Sequence, residues 1–129
     1  MAPTYHQPGL ILSQKYLDGY SYVNIGRALA EVLKDEDLSG VFLPMKAWDA
    51  LKVILNEGTA NGIVAIENFS ILFEPTLKIN LRAFLKEAMA GRRLILKLDH
   101  PVSGDWTYYP FPEDHNYYLD LTDINAITC

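Results

Sequence analysis

Three shortages shape the reading of this 129-residue chain. Cysteine is nearly absent: Cys129 stands alone, so no internal disulfide forms and a secreted disulfide scaffold is excluded. With no base beside it in the sequence, that thiol is given no catalytic role. No apolar run approaches the roughly 18 residues of a membrane span, and the first residues lack a charged leader. The expectation is a protein without a membrane segment, located in the cytoplasm. Positive charge is also scarce. The net charge is −5, and no Lys or Arg follows Lys97. A chain of this balance has no general attraction to phosphate backbones, so direct nucleic-acid binding is not expected.

The basic residues that do occur include Lys78, Arg82, Lys86, Arg92 and Arg93. The first three are spaced to share one helix face, read as a solvated face. Beyond Lys97 stand Asp99, Asp105, Glu113, Asp114, Asp120 and Asp123. They read as an acidic sheet margin that keeps the chain soluble. A DNA-mimicking inhibitor is the alternative.

Half of the residues are apolar and about a fifth are charged, the balance of a folded domain. The length suits one core, so residues 1–129 are read as a single domain with a loose arm at 1–9. The apolar run Gly9-Leu10-Ile11-Leu12-Ser13 predicts a first strand. Tyr20-Ser21-Tyr22-Val23-Asn24 predicts a second. Asn24 is placed as an N-cap, and Ile25, Ala28, Leu29, Val32 and Leu33 behind it form a helical stripe. Pro44 suits the first turn of another helix, with Ala47, Trp48, Leu51, Ile54 and Leu55 as its apolar face. Asn56-Glu57-Gly58 supplies the stop.

After the turn signal Asn61-Gly62, Ile63-Val64-Ala65-Ile66 is apolar on both faces of a strand. That predicts a central strand with helices on each side of the sheet. Leu77, Leu81, Phe84, Leu85 and Ala88 predict a helix over 76–90. Leu94-Ile95-Leu96-Lys97-Leu98 then predicts a parallel neighbour. Segments 106–109 and 116–121 predict a C-terminal hairpin. The fold class is therefore α/β, a mostly parallel central sheet with flanking helices.

The strand 63–66 ends in Glu67 and Asn68, the shape of a Walker B segment, whose acid helps hold magnesium near nucleotide phosphates. Its partner is missing. A phosphate loop needs Gly-x-x-x-x-Gly-Lys-[Ser/Thr], and none of the eight glycines precedes Lys-Ser or Lys-Thr. ATP hydrolysis by the P-loop mechanism is not expected, and no cofactor is assigned. His6, His100 and His115 match no metal spacing, so no metal site is assigned. The serines lack the Gly-x-Ser-x-Gly elbow. Glu67 and Glu74, seven apart, are a candidate carboxylate pair facing one cleft. Tyr108, Tyr109, Tyr117 and Tyr118 read as cross-strand aromatic pairs more simply than as a stacking platform for bases.

Several strings together resemble one family. They are Tyr22-Val23-Asn24-Ile25 before a helix, Ile66-Glu67-Asn68-Phe69-Ser70-Ile71-Leu72-Phe73-Glu74-Pro75-Thr76-Leu77, then Arg92-Arg93-Leu94-Ile95-Leu96, Tyr108-Tyr109-Pro110 and Tyr117-Tyr118. In this order, over roughly residues 20–121, the chain is similar to the small P-loop ATPase-like proteins of type 3 BREX phage-defence systems. The resemblance implies a degenerate P-loop-like fold in which Glu67 and Asn68 are a remnant Walker B site. It also implies a non-hydrolysing scaffold, adaptor or regulator of a bacterial defence complex. A protein partner is then expected, docking on Phe69, Ile71 and Phe73 or on Tyr108, Tyr109, Tyr117 and Tyr118. The alternative is an enzyme or nucleotide binder with its site at Glu67, Asn68 and Glu74, beyond the strand.

Overall fold

The computed structural model describes residues 9–35 and 40–129. The arm read at 1–9 lies outside the described residues except for Gly9. Five strands form a parallel sheet in the order β2-β3-β4-β1-β7. They are β1 Leu10–Ser13, β2 Tyr22–Asn24, β3 Ile63–Glu67, β4 Arg93–Lys97 and β7 Ala126–Thr128. Helix α1 (Ile25–Leu33) and helix α2 (Leu43–Gly58) connect β2 to β3, and α3 (Leu81–Met89) connects β3 to β4. The short strands β5 (Thr107–Tyr108) and β6 (Leu119–Asp120) pair antiparallel as a separate two-stranded ribbon. This is the small α/β domain that the alternation of strand and helix patterns predicts.

The direction of each connection explains how the layers form. The steps β2→β3, β3→β4 and β4→β7 run one way across the sheet, whereas β1→β2 runs the other way. Right-handed crossovers that run in opposite directions lie on opposite faces. All three helices therefore fall on one face. Leu10, Leu12, Val64, Ile66, Leu94 and Leu96 point to that face and join the buried residues of α1, α2 and α3 in one core.

The opposite face carries the alternate residues Tyr22, Ala65, Ile95, Ile11 and Ile127, aligned in one row. Ala65 and Ile95 are fully buried there, outside the helical core. Helices on each side, as expected for an apolar strand, are thus corrected. On the second face residues 14–21 link β1 to β2, with Tyr16 against Tyr22, Glu67 and Lys97, and eight residues are too few for a helix and its two links.

Local chemistry sets the element ends. The Asn24 side chain caps α1 by accepting from the Arg27 N–H, and Pro44 sits in the first turn of α2, both as read. Ile25, Leu29 and Leu33 are buried, but Val32 is 52% exposed, so the α1 stripe is narrower than its spacing implied. Asn61 and Gly62 both take positive φ, turning the chain into β3. Gly58 is inside α2 and acts by its smallness: a Cβ there would lie 2.5 Å from the Val23 Cγ2.

The helix expected over 76–90 is divided. A 3-10 turn at Pro75–Leu77 ends where Lys78 turns left-handed, and Asn80 then caps α3. Lys78 is therefore not on the helix that carries Arg82 and Lys86. The ribbon of β5 and β6 answers to the predicted hairpin, while β7 has no counterpart among the predicted strands.

Candidate functional site

Glu67 ends β3 on the crossover face. Its Oε1 accepts a hydrogen bond from the Tyr16 hydroxyl at 2.6 Å. The Tyr16 ring meets Tyr22 edge-on, with centroids 4.9 Å apart, and Lys97 Nζ lies 5.1 Å above it. Lys97 Nζ also lies 3.5 Å from Asp99. The bond to Glu67 holds the Tyr16 phenol above its ordinary range, because an ionised phenolate would lose it and face the carboxylate.

In open α/β sheets, ligands bind beyond the strand ends where connections diverge. Here that place lies between β1 and β4. Residues 14–21, the segment leaving β1, turn at once onto the crossover face, so Tyr16 stands where a phosphate loop would open. The acid accepts from the phenol, and the amine nearby lies over the phenol ring and pairs with Asp99.

Asn68 points elsewhere. It takes φ 54°, and its carbonyl accepts from the Gly26 N–H at 3.0 Å. Its side-chain amide donates to Asn24 Oδ1 at 2.8 Å, the same oxygen that caps Arg27. A Cβ on Gly26 would lie 2.7 Å from the Asn68 amide nitrogen and 2.8 Å from its carbonyl oxygen. A helix N-terminus is a natural anion site because its first N–H groups lack partners. In α1 the protein supplies those partners itself.

Beyond Asn68 the chain makes two 3-10 turns, Ser70–Phe73 and Pro75–Leu77. With the second half of α1, the start of α2 and the loop 109–118, they enclose a groove of about 1010 Å³. Its apolar lining includes Ala30, Leu33, Leu43, Ile71, Phe73, Pro75, Leu77, Phe111 and Tyr117. Asn68 and Glu74 also line it; Glu67 does not. The site of Glu67, Asn68 and Glu74 is therefore split between two faces of the sheet. Glu74 turns inward on its own chain, accepting from the Thr76 N–H at 3.3 Å and its hydroxyl at 3.2 Å.

The expected aromatic surface is only partly a surface. Phe69 and Tyr108 are buried against each other, centroids 5.7 Å apart, and are corrected to core residues. Phe73 is buried as well, packing on Phe69 at 6.5 Å while one edge reaches the groove. Burial raises the Tyr108 phenol, whose oxygen accepts from the Asp99 N–H. Ile71 and Tyr117 are half-buried in the groove wall, and Tyr118 is exposed. Tyr109 stacks on His115 at 4.1 Å. The sequence reading missed Leu43 and Phe111 as site residues. A usable signal was Phe111 between two prolines, an aromatic held out on a stiff turn.

The remaining candidates resolve into local structure. Arg82 donates to the Asp120 carbonyl at 3.0 Å, and Arg92 donates to Asn56, Thr59 and the Glu87 carbonyl, so these cations hold elements together. Asp105, Asp114 and Asp120 each accept from the N–H two residues onward, the Asx turn. Asp105 also accepts from the Ser103 hydroxyl. These bonds lower the carboxyls of Asp105 and Asp120, with Ser103 the main cause at the first and the Thr122 N–H at the second. Among the described residues no three His, Cys, Asp or Glu side chains gather as a metal site. No described helix is long and apolar enough to cross a membrane.

Comparison with known proteins adds no kinship: no protein family, no curated protein and no solved structure matches the chain.

Proposed function

We propose that this protein is a non-catalytic interaction module, a scaffold or regulator of a larger assembly, working through a protein partner. One observation carries the reading: the strand-end acid Glu67 is engaged by Tyr16 where a nucleotide site would need an open metal position and a phosphate loop. The resemblance to the phage-defence ATPase-like proteins points the same way. It casts the chain as a degenerate relative in the bacterial cytoplasm, with Glu67 and Asn68 as structural remnants.

The competing reading is a nucleotide- or metal-dependent enzyme beyond β3. The groove lined by Asn68 and Glu74 favours it, and the orientation of Glu67 disfavours it. The DNA-mimic reading is weakened because three of its acids serve as turn acceptors.

A thermal-shift series with ATP, ADP and GTP, with and without Mg²⁺, separates these readings. A ligand at a hundredfold excess over Kd adds about 2.7 kcal/mol of stability. The module reading expects no shift. A clear nucleotide shift that disappears in Glu67→Gln would overturn it.

A further inference from the structure

We infer that the groove beyond β3 receives an amphipathic helix of a partner protein, apolar on its docking face and basic along its flanks. This rests on the non-catalytic reading above. A volume of about 1010 Å³ stands at the top of the range for small-molecule sites, roughly 300–1,000 Å³, and has room for several side chains. Its walls come from α1, the two 3-10 turns and the loop 109–118. Phe111 and Tyr117, edge to face at 5.5 Å, supply the aromatic anchors typical of interface centres.

The walls also exclude an added strand. The 3-10 turns spend their N–H groups internally: Leu72 donates to Phe69, Glu74 to Ile71, Leu77 to Glu74 and Lys78 to Pro75. No ladder is left for an extended peptide to join. A helix satisfies its own backbone and brings only side chains.

Charge selects the flanks. The charged groups among the described lining residues are Lys34, Glu74 and Asp114. Lys34 pairs with Glu31 at 2.6 Å on the exposed outer side of α1. Glu74 and Asp114 spend one carboxylate oxygen each on local bonds and retain the other. Outside the lining, exposed Glu113 beside Asp114 and exposed Lys78 beside Leu77 offset each other. The described lining residues thus carry two acids against one paired lysine, a net negative set that complements Lys or Arg.

The test uses the full chain and a fluorescent helical peptide of about four turns, with Leu on one face and Lys on the other. A twin carrying Glu for Lys is the control. Fluorescence anisotropy should show the Lys peptide binding at least tenfold tighter. Ala30→Trp fills the groove from an exposed helix position. It should lower that affinity at least tenfold while leaving the melting temperature unchanged. Glu74→Gln with Asp114→Asn should erase the preference between twins.

Equal binding of the two peptides, or binding undiminished in Ala30→Trp, would overturn the proposal. So would a concentration-dependent dimer, seen by sedimentation and abolished by Ala30→Trp, since the groove would then serve a second copy. A nucleotide shift with peptide binding intact sinks the non-catalytic reading and leaves the groove assignment standing.

Discussion

The two faces of the sheet are built from the same strands and end in different states. On one, Leu94 and Leu96 meet three helices in a continuous core. On the other, Ile95 is equally buried, yet the segment that links β1 to β2 on that side is eight residues long and mostly exposed. The helical face supplies the packing, and on the other face Tyr16 meets the acid that suggested chemistry. The contrast teaches that an acid at a strand end says little until its face is known. Glu67 and Asn68 are adjacent in sequence and serve opposite sides of the sheet.

The sharpest test of the contrast is a pair of truncations. Leu96→Ala opens a cavity under rigid helices and should cost about 3–4 kcal/mol, against about 2 kcal/mol for Ile95→Ala, where a loop can settle into the space. Urea denaturation of both variants measures this. A cost at Ile95 equal to that at Leu96 would show the crossover face to be as firmly packed.

Gly26→Ala comes next, at about 2 kcal/mol, because its Cβ would press on the backbone and side chain of Asn68. If it proves neutral, the junction between β3 and α1 is looser than its geometry implies. Asn24→Ala should cost about 1 kcal/mol through loss of the cap that Arg27 and Asn68 share, read from the same denaturation curves.

The smallest effect belongs to Tyr16. Its phenol is raised above the ordinary value near 10, so the neutral form is favoured in the folded state. The stabilisation is complete below that value and is lost as pH rises through the raised one. An NMR titration of labelled tyrosine should find Tyr16 ionising later than free tyrosine, and earlier again in Glu67→Gln. No difference between the two proteins would mean that the bond is absent in solution.

Much of the fold was legible because local signals agreed with the final structure. Asn24 as a cap, Pro44 in a first turn, Asn61-Gly62 as a turn and the apolar runs at 9–13, 63–66 and 94–98 all report on nearest neighbours. The division at Lys78 was not legible, since an apolar spacing of 3 and 4 continues across it. Only the backbone at that residue, φ 50°, interrupts the helix. β7 escaped notice because three residues at an edge carry little pattern, and its register comes from β1. Phe69 and Tyr108 looked like surface aromatics because sequence does not show that they bury each other. The groove has walls drawn from segments more than 80 residues apart, and no local pattern announces it.

By itself the sequence determined the kind of elements, the strand ending in Glu67, the missing phosphate loop and the acidic balance. Each depends on residue type and short spacing. Tertiary structure alone decided the strand order, which by the handedness of crossovers sent every helix to one face and left eight residues for the other. That assignment turned Glu67 toward Tyr16, turned Asn68 toward Gly26, and opened the groove where Glu74 and Asp114 meet an apolar floor.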